Sequence, residues 1–250
     1  MIFFGHKIHF SMNYNSLGSP DALVATVFSG VNREWLEHTG PSGIPEPTRF
    51  LTEVEKTLRC LYVMSKGSTA NFVPAPSKVL EVFKLIRPQD VKVVITAQDP
   101  YPRMDQATGI AFHATGRYCP QSARQINANL IKYGHIPPQY AESSNYISWV
   151  KQGVLLINVS LTTEESRARA HSVVWKDVIA MALQLVPKKS VAVLLGADAR
   201  SAFASLASLQ KVEHCHPASR QGEFLEMDVF GNTNAALIKL DLAPINWTPC

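Results

Sequence analysis

The sequence predicts a single α/β domain, a central and mostly parallel four-stranded sheet flanked by helices on both faces. Four apolar runs lie between residues 91 and 215, and helical patterns separate them. Three of the runs are apolar at consecutive rather than alternate positions, which suits strands covered on both faces. At 250 residues the chain can bury one sizeable core, and no linker is long enough to divide it.

Residues 1–20 show no period and are expected to be peripheral. From Pro20 to His38 the spacing of Leu23, Val24, Val27, Phe28, Val31 and Trp35 predicts an amphipathic helix. Thr48 to Met64, with Phe50, Leu51, Val54, Leu58 and Leu61, predicts a second. Residues 1–70 thus read as a helical and peripheral segment packed on a core spanning 71–250. The β-branched run Val91–Thr96 is the first predicted strand, Val154–Ile157 the second and Val191–Leu195 the third. Leu209–Cys215 is a weaker fourth. Ser122–Tyr133, Val173–Val186 and Asp198–Leu209 are the helical patterns among them.

Composition excludes several classes. Hydrophobic residues make up 46% of the chain and charged residues 18%, the balance of a globular protein rather than a disordered one. No stretch approaches 18 consecutive apolar residues, so no membrane span is expected. The opening Met1–Lys7 lacks a basic lead and a long apolar run, so the chain is expected to stay inside a cell, nucleus and cytoplasm both being open. Cys60, Cys119, Cys215 and Cys250 are scattered without a C-x-x-C pair, which favours reduced thiols over a disulfide framework, a zinc site or an iron–sulfur cluster. The net charge of +4 permits a polyanionic partner without indicating one.

In parallel sheets ligands bind beyond the carboxyl ends of the strands. Those ends lead into Gln98-Asp99-Pro100-Tyr101, Asn158, Gly196-Ala197 and His216-Pro217. A carboxylate, an amide, an imidazole and backbone N–H groups would therefore share one rim. Nothing in the chain has the order of a known Ser–His–Asp hydrolase, a phosphate-binding glycine loop or a metal-ligand cluster. The site reads as free of metal and cofactor.

These strand-end segments resemble the motifs of the family 1 uracil-DNA glycosylases. VKVVITAQDPY, Val91–Tyr101, is similar to the family's water-activating motif, and Gly109-Ile110-Ala111-Phe112 to its uracil-stacking segment. Pro120-Gln121-Ser122 resembles its proline-rich loop, and Trp149–Thr162 the strand ending in its uracil-reading asparagine. Ala170-His171 with Trp175, Leu195-Gly196-Ala197, His216-Pro217-Ala218-Ser219 and Pro244–Trp247 follow in the family's order. The resemblance spans about Phe72 to Trp247. Two positions depart from the pattern: Pro102 stands where the family has histidine, and Arg220 where it has an apolar leucine wedge. Both, with Phe224…Asp228 and the Ile245-Asn246-Trp247 ending, are similar to the poxvirus branch, from which Gln98 in turn departs.

The resemblance implies a role for each residue. Breaking the bond between uracil and its sugar passes through a cationic sugar and an anionic base, so the catalyst needs a negative charge, a water and hydrogen-bond donors. Asp99 would orient the water and stabilise the cation; its plain structural reading is a turn-forming residue before Pro100. His216 would donate to uracil O2 as a neutral imidazole, whereas His214 reads as structural. Asn158 would read the base edge, accepting from N3–H and donating to O4. The sequon Asn158-Val159-Ser160 is discounted at the end of a buried strand. Phe112 would stack on the base, and Tyr101 would fill the place of a thymine methyl, although both could be core aromatics. Backbone N–H groups of Gln98 and Asp99 would complete the O2 pocket. Ser122, Gly196, Ala197 and Ser219 would contact DNA phosphates, Pro120 would bind DNA as part of the proline-rich loop, and Arg220 would take the place of the wedge.

The expected activity is thus hydrolysis of the N-glycosidic bond of deoxyuridine in single- or double-stranded DNA by base flipping, leaving an abasic site for base excision repair. The rival reading, prompted by the poxvirus likeness, is an accessory subunit of a viral replicative polymerase that binds a scaffold protein, with or without catalysis; it would place the chain in the host cytoplasm. A broader enzyme that accepts thymine is disfavoured by Tyr101.

Overall fold

The computed structural model describes residues 18–40, 43–116, 118–203, 209–219 and 223–250. The expectation of a peripheral stretch over residues 1–17 and the wedge position Arg220 lie outside the described residues.

The central sheet has four strands, Val93–Ala97, Val154–Asn158, Val191–Leu195 and Gln210–His214. All neighbours are parallel. In space the second strand in sequence lies at one edge, followed by the first, third and fourth. The first three strands are buried at every position, because their Val, Ile, Leu and Ala side chains meet helices on both faces. The fourth, an edge strand, buries only Val212, which explains its weaker apolar signal.

This order creates a switch point. The chain leaves the Val93–Ala97 strand toward the Val154 strand on one side, and leaves the Val191–Leu195 strand toward Gln210 on the other. The two exits diverge and open a crevice between them, the usual position of a ligand in such sheets.

The N-terminal helical pattern is corrected in detail. Pro20–His38 is not one helix but two, Pro20–Phe28 and Arg33–Leu36, and the strand Glu37–Thr39 follows. Gly30, at φ +79°, breaks the first run. The second pattern forms the helix Arg49–Met64, capped by the Thr48 hydroxyl at Leu51 N–H. Both segments join the main core: Trp35, Phe50 and Phe83 are buried together, with ring centroids 4.9–6.0 Å apart. The other helical patterns appear as Gln121–Lys132, Lys176–Gln184 and Ala197–Ala202, the last two shorter than expected. Residues 204–208 of the last pattern lie outside the described residues.

The helix Val229–Lys239, not expected from the sequence, covers the sheet beside its last two strands. Asn234 pins the closing segment through paired hydrogen bonds with Ile245, at 2.8 and 2.9 Å. Trp247 then packs edge-on against Trp149 and Phe230, with centroids 5.0 Å away in both cases. All four cysteines are free. Among the described residues no helix is long and apolar enough to cross a membrane.

Candidate active site

A cavity of about 380 Å³ opens at the carboxyl ends of the strands. Asp99, Asn158 and His216, which belong to three separate segments, all line it, as do Gln98, Tyr101, Phe112, Pro120 and Ser122. The sheet register brings them together. Ala97 is the direct neighbour of Asn158, and Val159 and Ser160 N–H donate to the carbonyls of Ala97 and Gln98 at 2.9 Å.

Asn158 ends its strand almost fully buried, and its Oδ1 has no hydrogen-bond partner among the described residues. A buried, unpaired amide oxygen is costly, so a ligand N–H at this point would relieve a penalty of about 1–3 kcal/mol.

His216 is held in one tautomer. Ala218 N–H donates to its Nδ1 at 3.1 Å, so that nitrogen is an acceptor and the proton sits on Nε2. Burial pushes the imidazole below its ordinary value, partly opposed by the charge of Asp198. The ring is therefore neutral at pH 7 and has one N–H to donate. Gly196, at φ +98°, makes room for it: a Cβ there would lie 3.2 Å from the Cβ of His216.

Asp99 is half-buried, and Arg169 N–H donates to its Oδ2 at 2.7 Å. Burial raises its carboxyl above the usual range, Arg169 pulls it down through the N–H and its charge, and Asp198 pushes it up again.

Phe112 adopts φ +62°, an uncommon backbone for an aromatic residue. Its neighbour Ala111 is tied by N–H to Leu156 O at 3.1 Å. The Tyr101 hydroxyl meets Phe112 O at 3.2 Å and Ser122 Oγ at 2.7 Å, which fixes the ring against the cavity.

Two of the expected assignments, Ser122 and Gly196, change in detail. The Ser122 hydroxyl is buried and engaged with Tyr101, so it holds the aromatic wall rather than standing out for a phosphate. Gly196 N–H donates to His214 O at 3.0 Å, which leaves Ala197 as the amide of that turn. With its amide oriented to satisfy both neighbours, oxygen toward Arg169 Nε at 2.7 Å and nitrogen toward Asp198 at 3.0 Å, the side chain of Gln98 is engaged outside the cavity and its backbone is left for it. Ser219 does not line the cavity, but its buried Oγ has no partner among the described residues. His214 is structural as expected, bonded to Glu223 O at 2.8 Å and stacked on Phe224.

The sequence reading missed His113, Thr108, Arg169 and Asp198. His113 and Thr108 line the cavity and bond to each other at 2.8 Å. Among the described residues no group of three His, Cys, Asp or Glu side chains is placed to hold a metal.

Comparison with known proteins decides the family, since the model of the uracil DNA glycosylase superfamily matches residues 83–238. The chain belongs to the uracil DNA glycosylase superfamily. It is 31% identical over 189 residues to the uracil-DNA glycosylase 1 of Streptomyces coelicolor, an alignment covering 70% of this chain and 80% of that one. Against the uracil-DNA glycosylase of psittacid herpesvirus 1 it is 31% identical over 226 residues, covering 87% and 60% of the two chains. The crystal structure of mimivirus uracil-DNA glycosylase shares the fold, with a TM-score of 0.67, 24% identity and coverage of 80% and 81%. The matched span of the superfamily contains every cavity-lining residue.

Proposed function

We infer that the protein is a hydrolase of the superfamily's kind, which removes uracil from DNA and leaves an abasic site for base excision repair. The observation that carries this is the convergence of Asp99, Asn158 and His216 on one cavity walled by Tyr101 and Phe112. The everted base lies against Phe112, with its N3–H toward the unpaired Oδ1 of Asn158 and its O2 toward the N–H of His216. As the bond from C1′ to N1 breaks, its electron pair goes to uracil, and the neutral imidazole stabilises the growing charge on O2 without giving up its proton. Asp99 stabilises the sugar cation and takes a proton from the water whose oxygen bonds to C1′. Tyr101 occupies the place of a methyl group and so excludes thymine. Pro120, Ala197 and Ser219 border the path of the DNA backbone. The same reading places the protein inside a cell.

The test is uracil release from single- and double-stranded DNA with chelator present. Wild type is expected to be active, and Asp99→Asn about 10²–10⁴-fold slower, the usual weight of a positioned acid–base group. An unchanged rate in Asp99→Asn removes that residue from the mechanism.

A polymerase-associated role is a separate proposal, resting on the poxvirus likeness alone. Several of the residues that carry that likeness are used inside the fold: Phe224 and Trp247 are buried, and Asp228 caps the Val229–Lys239 helix and bonds His135. Primer extension by the cognate polymerase that is equally long with and without this protein would remove it.

A further inference from the structure

The water-orienting carboxylate depends on a residue 70 positions away in sequence, Arg169. Arg169 N–H reaches Asp99 Oδ2 from a left-handed backbone, φ +65°. Non-glycine residues rarely adopt that conformation unless their surroundings hold it. Here three contacts do so. The guanidinium Nη2 pairs with Asp198 Oδ2 at 2.5 Å. With the Gln98 amide assigned by its hydrogen-bonding neighbours, Arg169 Nε donates to its oxygen at 2.7 Å and its nitrogen donates to Asp198 at 3.0 Å. Asp198 stands in the first turn of the Ala197–Ala202 helix, whose N-cap is Gly196, the glycine that makes room for His216.

We propose that Arg169 is a positioning residue for Asp99, with Asp198 and Gln98 as the clamp that holds it. By gripping the guanidinium they keep residue 169 left-handed, so its N–H stays on Oδ2 and Oδ1 is left for the water. This rests on the reading of Asp99 given above. The plainer use of an arginine beside a DNA cleft is a phosphate contact. Its pairing with Asp198 argues against that, because the cation is already partnered by a carboxylate of the same chain.

The ionisable groups beside Asp99 or on the same cavity are Arg169 and Asp198 on the outer side and His216, His113 and Tyr101 on the cavity wall. Loss of the Arg169 contacts lets the carboxyl rise, so the acid limb of the rate profile moves to higher pH.

Arg169→Ala and Arg169→Gly separate the two uses, since glycine enters the left-handed region freely and alanine does not. The side chain is exposed, and thermal melting checks that both variants fold. With the clamp, Arg169→Ala has a kcat about tenfold lower, a raised acid limb, and unchanged KM and salt dependence, while Arg169→Gly recovers about threefold of the loss. Wild-type kcat in Arg169→Ala overturns the proposal. So does an equal loss in both variants confined to KM, with a shallower salt dependence, which marks a phosphate contact. Should wild type itself release no uracil, the reading of the site falls first and the clamp falls with it.

Discussion

Asp99 sits in the fold at the expense of stability. Its folded value is raised by burial, so the protonated form is the favoured one; the stability it contributes is present below the ordinary carboxylate value and is lost as pH rises through the folded value. Near neutral pH its charge is therefore destabilising. Asp99→Asn, expected to slow uracil release, is also expected to raise Tm at pH 7 by a few degrees, measurable by calorimetry; a lower Tm would mean that the Arg169 contact outweighs burial. Tyr101 makes the opposite bargain, since its ring is fixed by Ser122 and Phe112. Tyr101→Ala is expected to gain release of thymine from a G·T duplex. Ser122→Ala should loosen the same ring and lower uracil-over-thymine selectivity by about three- to tenfold, the worth of one hydrogen bond, with DNA affinity intact. A raised KM with full selectivity would return Ser122 to phosphate binding.

Loops at the strand ends do most of the shaping, and Gly109 shows how little room they leave. At φ +79° a Cβ on this residue would lie 1.7 Å from the carbonyl oxygen of Lys78. Gly109→Ala must displace the segment that carries Phe112, and is expected to lose about 3 kcal/mol or more, read from the urea midpoint. Such loops were the least legible part of the chain. The three buried strands were plain because double-sided burial demands unbroken apolar runs, and the edge strand was fainter because most of its side chains meet solvent. The helix Val229–Lys239 buries Val229, Phe230, Thr233, Ala236 and Leu237, a helical spacing, but Gly231, Asn232 and Asn234 are poor helix formers and hid it. Asp99, Asn158, His216, Tyr101 and Phe112 were found because strand ends and motif likeness pointed to the same rim. Arg169 and Asp198 were not, because their part rests on a left-handed backbone and a contact across 70 residues, neither of which leaves a local pattern.

Across the molecule, burial also sets the response to acid. His113, His171 and His216 are all pushed below the ordinary histidine value, chiefly by burial. Each folded value is depressed, so its stability is present above the unfolded value and is lost as pH falls through the folded one. Tm is expected to drop steadily between about pH 6.5 and pH 5, below the ordinary histidine value. Uracil release should fall in the same direction, because protonating Nδ1 of His216 breaks its bond from Ala218 N–H. A flat Tm over that interval would show that these rings are charged without penalty. The sheet's single direction has a practical side as well. With its four strands pointing the same way, the candidate reactive groups crowd one rim and the opposite rim lies away from them. There Lys188 and Lys189 stand exposed just ahead of the Val191–Leu195 strand. A dye, bead or tether coupled at those two amines would leave the DNA-facing mouth unobstructed, so the immobilised protein should turn over substrate as freely as the dissolved one.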